Sequence, residues 1–294
     1  MPEFPDIVLY TEALDARIVG QPLQGVRLLN AFLLRTAVPP IDHAFGRQVA
    51  GISRLGKRIV IELDNELFLV LHLMIAGRLR WLASGAKPPG RITQAVFEFP
   101  NGQLVFTEAG TKRRASLHVI EGRERLAAHD PGGMDVMRSS LVQFSKALTA
   151  ENHTLKRVLT DPRVYSGIGN AYSDEILHRA KLSPITHSQK LSNDEIAGLH
   201  VATKEVMNEW VERLRVETGD RFPEGVTAFR PEMAVHGKFK QPCPVCATPV
   251  QRIVYANNET NYCPRCQTSG VILADRALSR LLKKSWPRSI DDLE

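Results

Sequence analysis

The spacing of apolar positions changes twice along the chain. From Pro5 to Ile18, Ile7, Leu14 and Ile18 recur at helical intervals behind a proline suited to a first turn, which predicts a helix. From Arg58 to Phe106 the apolar positions close up into short β-branched and aromatic runs, RIVIEL, ELFLVLHL, AVFEF and QLVFTE. Turn signals at Asp64-Asn65 and Asn101-Gly102 separate them, so this stretch predicts a sheet. Helical spacing returns in LVQFSKAL, NHTLKRVL, NAYSDEILHRA and NDEIAGLHVATKEVMNEWVERL, each opening after a Ser, Thr, Asn, Asp or Gly, and ends near Glu217. RFPEGVTAFRPE then predicts an exposed loop, and LSRLLKKSW a short basic amphipathic helix.

Between the two patterns, HDPGGMDVMRSS has the proline, glycines and polar residues of a linker. The chain therefore reads as α+β: an N-terminal β region over 1–128, a linker over 129–140 and a helical domain over 141–235. A cysteine segment over 236–274 and a tail over 275–294 complete it.

Length and charge narrow the function. A chain of 294 residues has room for about two domains with real cores. No apolar stretch approaches the roughly 18 residues of a membrane span. The start, MPEFPDIVLY, places Glu3, Asp6 and two prolines where a secretory signal has a basic and then an apolar region, so export is not expected, and four cysteines confined to one segment point to metal in a reducing compartment, predicting a cytoplasmic, nucleoid-associated protein. Lys and Arg number 38 against 32 Asp and Glu, so polyanionic partners are favoured.

All four cysteines fall in one short segment. Cys243-Pro-Val-Cys246 and Cys263-Pro-Arg-Cys266 stand 16 residues apart, a spacing that lets two turns bring four thiolates onto one Zn²⁺. Redox pairing is the other use of C-x-x-C, but one such pair suffices for it and no thioredoxin-like βαβ pattern surrounds these. Four ligands leave no open position, so the predicted zinc is single and structural.

Lys156 to Glu175 reads as a helix stopped at Asp161-Pro162, then Gly167-Ile-Gly169 feeding straight into a helix near Asn170. Free amides at that helix start, with Lys156 and Arg157 nearby, suit a phosphate. An ordinary helix hairpin capped by glycines has the same pattern, and both readings stand.

Taken in order, these features resemble the formamidopyrimidine-DNA glycosylase and endonuclease VIII family. The likeness rests on Pro2-Glu3-Phe4-Pro5-Asp6, Gly56-Lys57-Arg58 before a strand, and His72-Leu73 with Gly77. It continues through Gly167-Ile-Gly169-Asn170-Ala-Tyr172 with Glu175 and ends at the paired C-x-x-C. It implies two lobes, an N-terminal helix-flanked β-sandwich and a C-terminal helix-two-turn-helix bundle with a four-cysteine zinc finger. Double-stranded DNA carrying damaged bases or abasic sites would run between the lobes of a monomer.

The resemblance also implies roles. Once Met1 is removed, Pro2 is a secondary amine; an ordinary α-amino group, with a pKa of about 7.7–8.0, keeps an appreciable neutral fraction at physiological pH. Pro2 would attack the sugar C1′ of a flipped nucleotide, Glu3 would serve as general acid and base, and the Schiff base would lead to strand cleavage by elimination. Lys57 and Asn170, with His72, Gly169 and Tyr172, carry over as DNA-binding and site-assembling positions, and Glu175 as a candidate for catalytic assistance. A solvated charge is the plain alternative for Lys57, and a favourable helix-dipole contact the plain alternative for Glu175.

Met74 or Ile75 would fill the gap left by the flipped base, with strand packing as the alternative. Here the chain departs from both Gly-Met-Ser and Gln-Leu-Tyr, the family's better-known forms. Where the formamidopyrimidine branch has D-P-R-R-F-G, this chain has Glu108-Ala-Gly-Thr-Lys-Arg-Arg-Ala115, so Lys112, Arg113 and Arg114 are candidate DNA contacts without a matching aromatic. The family's phosphate-gripping Arg falls on Asn258, with Asn257 beside it. The loop Arg221 to Arg230 is the expected lid over a flipped base. A non-catalytic damaged-DNA-binding protein on the same scaffold is the alternative function, and an RNA- or protein-binding zinc module a third.

Overall fold

The computed structural model describes residues 1–255, 258–283 and 286–293. Their contacts divide the chain into two units, 1–131 with 210–227 and 132–209 with 228–294. The sequence-based limits differ from this division: residues 132–140 go with the second unit, and 210–227 return to the first.

In the first unit, α1 (Phe4–Ile18) precedes eight antiparallel strands. These are β1 (Gly25–Leu28), β2 (Val49–Leu55), β3 (Arg58–Leu63), β4 (Leu67–His72), β5 (Gly77–Leu82), β6 (Thr93–Phe99), β7 (Gly102–Glu108) and β8 (Ser116–Glu121). They form two four-stranded sheets, ordered β1-β6-β7-β5 and β2-β3-β4-β8. Alternation sets the core: Ile59 and Ile61 on β3, Leu69 and Leu71 on β4, Phe97 on β6 and Phe106 on β7 are buried in one cluster with Ile7, Tyr10, Leu14 and Ile18 of α1. A short helix, α2 (Arg123–Ala127), follows β8.

Residues 221–226 are not the exposed loop that their polar composition predicts. Phe222 and Val226 are buried in the same core, and the Phe222 ring lies 5.8 Å from Tyr10. Arg78 Nε donates to the Val226 carbonyl at 2.5 Å.

The second unit holds α3 (Leu141–Thr149), α4 (Leu155–Thr160), α5 (Asn170–Arg179) and most of α6 (Asn193–Thr218). A hairpin of β9 (Gln251–Tyr255) and β10 (Asn258–Tyr262) follows, then α7 (Pro264–Thr268) and α8 (Arg276–Leu282). Ser140 caps α3 through a reciprocal box with Gln143. Of Leu278, Leu281 and Leu282, which the sequence allows to pack one face, Leu281 and Leu282 are exposed, and the side chain of Leu278 lies outside the described residues. No helix among the described residues is long and apolar enough to cross a membrane.

Candidate functional site

Two groups of polar residues stand out, one in each unit. In the first, Pro2 and Glu3 are buried at the start of α1, where Asp6 accepts from the Glu3 N–H at 2.9 Å. Burial pushes the Lys57 ammonium below its usual range, and the Glu3 carboxylate opposes that shift. The chain's terminal amine, on Met1, is likewise lowered by burial; Glu3 opposes this, while Arg78 and Lys57 add to it. The structure thus brings Pro2, Glu3 and Lys57 together.

The loop between β4 and β5 leads into Arg78, whose charge acts on the Met1 amine. Gly77 N–H closes the loop onto the Leu73 carbonyl at 2.8 Å. A Cβ at Gly77 would lie 2.2 Å from that oxygen, so only glycine fits. Met74 holds a left-handed conformation (φ 51°), while Ile75 is 66% exposed at the tip. Arg78, which the sequence reading missed, donates from Nη1 to the carbonyls of Ile75 at 3.0 Å and Gly77 at 2.7 Å. Its place directly after Gly77 marks it in the sequence. His72, at the end of β4, is pushed down to about 4 by burial and then by Arg58, Lys57 and His118.

Lys112, Arg113 and Arg114 lie on an exposed loop. The buried Glu108 carboxylate fixes its base by accepting from the N–H groups of Arg114 (2.8 Å) and Ala115 (3.1 Å). Arg113 Nη2 reaches the Arg91 carbonyl at 2.9 Å.

In the second unit, Gly167 takes φ 89°, which glycine alone adopts freely, and Gly169 is the N-cap of α5. Asn170 Nδ2 donates to the Glu259 carbonyl on β10 at 2.8 Å. Tyr172 is buried and Asn258 is exposed at the start of β10; Asn257 lies outside the described residues.

Lys156 is not a solvated charge waiting for a phosphate. Its Nζ donates to Asp174 Oδ1 at 2.5 Å and to the Asn170 carbonyl at 2.7 Å. Asp174, with a fully buried side chain, also meets His236 Nδ1 at 2.7 Å and accepts from the Asn261 N–H at 3.1 Å. Charge neutralisation inside the unit accounts for this lysine. Glu175, expected to favour the helix dipole or assist chemistry, instead accepts from the backbone N–H groups of Ala234, Val235 and His236 at 2.7–2.9 Å. It is a buried clip between α5 and the chain leading to the zinc hairpin.

The four cysteine sulfurs all lie within 4.8 Å of one another. Tetrahedral Zn–S bonds of about 2.3 Å imply sulfur separations of about 3.8 Å, so the donor set fits one zinc. His178 Nε2 approaches Cys243 Sγ at 3.3 Å, an outer contact that orients a ligand.

The chain matches the formamidopyrimidine-DNA glycosylase N-terminal domain over residues 1–115 and the H2TH domain of the same enzyme over 132–220. A formamidopyrimidine-DNA glycosylase of Roseiflexus sp. is 32% identical over 277 residues, covering 91% of this chain and all of that protein. The chain belongs to the formamidopyrimidine-DNA glycosylase family.

A zinc finger found in FPG and IleRS matches 240–268 of this family member, so its cysteine cluster is a site for one structural zinc. An uncharacterized formamidopyrimidine-DNA glycosylase-like protein of Mycobacterium tuberculosis is 42% identical over 164 residues, 56% of this chain and all of that protein. A solved complex of the Lactococcus lactis Fpg with abasic-site DNA superposes with a TM-score of 0.80 over 90% of this chain and 99% of that one, at 24% identity. That likeness supports the fold, a β-sandwich with helices followed by a helix-two-turn-helix region and a four-cysteine finger.

Proposed function

We propose that this family member is a base-excision-repair DNA glycosylase with AP-lyase activity on duplex DNA. The observation that carries the reading is the grouping of buried Pro2 and Glu3, at the start of α1, with the half-buried Lys57 between β2 and β3. After removal of Met1, the Pro2 nitrogen attacks C1′ and the glycosidic bond breaks, its electron pair leaving with the base, which is protonated. The attached nitrogen loses its proton and the C1′–O4′ bond opens, its electron pair passing to O4′, which is protonated; the resulting iminium acidifies the C2′ proton, whose removal expels the 3′ phosphate by elimination. Glu3 shuttles protons in these steps. Lys57, whose ammonium is disfavoured by burial, is stabilised as a cation by an approaching phosphate.

Lys57, His72, Gly169, Asn170, Tyr172 and Asn258 are assigned to DNA binding and to assembling the strand-binding surfaces, and Lys112, Arg113 and Arg114 to further phosphates. Ile75 is assigned as the wedge in preference to Met74, because its apolar side chain is the exposed one. Asn258 brings hydrogen bonds without charge, so its grip on phosphate is weaker than that of an arginine.

Borohydride trapping on an abasic-site duplex tests the reading, with intact mass reporting Met1 removal. A covalent adduct at Pro2, lost in Pro2→Gly, is expected. Glu3→Gln should suppress base excision more than strand cleavage at a preformed abasic site. A protein shown to begin at Pro2 that binds the duplex but forms no adduct would replace this reading with a non-catalytic damaged-DNA binder.

A further inference from the structure

The outer face of the β2-β3-β4-β8 sheet carries a basic cluster that the catalytic assignment leaves unused. Register places it: Arg58 on β3 pairs with His72 on β4, which pairs with Ser116 on β8. His118 lies two residues beyond Ser116, and therefore on the same face, diagonal to His72. Val60, Phe68, Val70 and Ile120 form a small apolar cluster farther along the same sheet. The His118 ring meets His129, beyond α2, edge-on at 5.2 Å between centroids. Arg58 Nη1 donates to the His129 carbonyl and so fixes that ring against the sheet.

The three imidazoles sit among cations. The groups acting on the three imidazoles are Arg35, Lys57, Arg58 and one another. No carboxylate pairs with Arg35 or Arg58 among the described residues, and His118 Nδ1 is buried without a hydrogen-bond partner. Burial and these cations push all three imidazoles below their usual range, so the rings are largely neutral near pH 7 while the protein is free. Half-buried histidines beside one another and beside a guanidinium that meets no carboxylate form a seat for an anion that would hold them protonated.

We propose that Arg58, His118 and His129 form a backbone-phosphate subsite that adjoins Lys57 and His72 and takes up protons as duplex DNA binds. This inference rests on the assignment of DNA as substrate. The diagonal step from His72 to His118, about 7–8 Å, is comparable to the step between successive phosphates of one strand. The cluster thus extends the contact that Lys57 begins, with Arg35 at its far edge. Proton uptake makes affinity rise as pH falls, and each imidazolium formed adds to the number of counterions released.

The test uses full-length, zinc-loaded protein and a duplex carrying a tetrahydrofuran abasic analogue, with binding measured against salt at pH 6 and pH 8. His118→Gln and His129→Gln should each weaken binding roughly tenfold at pH 6 and flatten the salt slope there by about one, with little change at pH 8. Arg58→Gln should flatten the slope at both pH values. Imidazole titration of the wild-type protein by NMR, which needs no variant to fold, should show His118 and His129 moving up when the duplex is added.

Unchanged slopes at pH 6 in folded variants, or imidazole titrations that do not move with duplex, would overturn the subsite while leaving the glycosylase assignment intact. Movement with inorganic pyrophosphate but not with duplex would make the cluster a small-anion site and overturn it equally. Failure to bind any duplex would overturn both assignments.

Discussion

Replacing Lys156 by alanine separates a structural lysine from a DNA-binding one. Its Nζ supplies the donor at Asp174 Oδ1, while Oδ2 keeps His236 and the Asn261 N–H. With Asp174 fully buried and the lysine side chain only 14% exposed, removing the cation leaves a carboxylate out of water with part of its hydrogen bonding lost. Breaking such a pair from one side costs about 3 kcal/mol or more. At about 2–4 °C per kcal/mol for a unit of this size, the second unit should melt about 6–12 °C lower. Hydrogen exchange at α4 and α5 would locate the loss. The double variant Lys156→Met/Asp174→Asn should be destabilised by less than the sum of the two single changes, because the pair is coupled. Below its melting temperature, Lys156→Ala should keep the wild-type salt slope for duplex binding. Stability within about 0.5 kcal/mol of wild type, with a salt slope flatter by about one, would refute the buried-pair reasoning and return Lys156 to the DNA surface.

Four further perturbations follow from the geometry. Gly77→Ala drives a methyl group into the Leu73 carbonyl, so the Ile75 loop must shift at a cost of about 1–3 kcal/mol, read by thermal unfolding. Glu175→Ala strands three amides and should cost more than about 3 kcal/mol in denaturant titrations of the second unit. His72 is held neutral in the fold, with its pKa at about 4 against an ordinary 6.5. The unfolded chain binds the proton first, so stability of the first unit should fall as pH drops from 6.5 towards 4, and His72→Gln should flatten that decline. Chelation of zinc should abolish hydrogen-exchange protection in β9 and β10 while the β-sandwich stays protected.

Local pattern revealed what local physics decides. The first helix, the runs that became β3, β4, β6 and β7, and the four-cysteine cluster were legible because their signals lie within a few residues or in fixed spacings. β2 and β5 were not among the runs read as strands: glycine and serine dilute the first, and Arg78 and Arg80 alternate through the second. Lys156 illustrates the deeper limit. An amphipathic helix start looks the same whether its lysine faces water or a buried carboxylate, and its partners here, Asp174 and the Asn170 carbonyl, lie on α5. Glu175 was misread for the same reason, since the amides it clips are about 60 residues away. Phe222 and Val226 sit among turn-forming residues, and nothing in their spacing betrays that they complete a core begun at residue 7.

That return of 210–227 to the first unit bears on how the chain matures on the ribosome. A β-sandwich encoded as one stretch could close as soon as β8 had left the exit tunnel. Here Phe222, Val226 and the carbonyl that Arg78 grips emerge some hundred residues after β8. The nascent sandwich must wait with part of its apolar interior uncovered while the intervening helices are made. At synthesis rates of about 5–20 residues per second, that interval is several seconds or more, longer than small domains commonly need to fold. The N-terminal unit begins first and is completed late, and an early-terminated product ending near residue 131 would leave the apolar positions covered by Phe222 and Val226 as a target for chaperones.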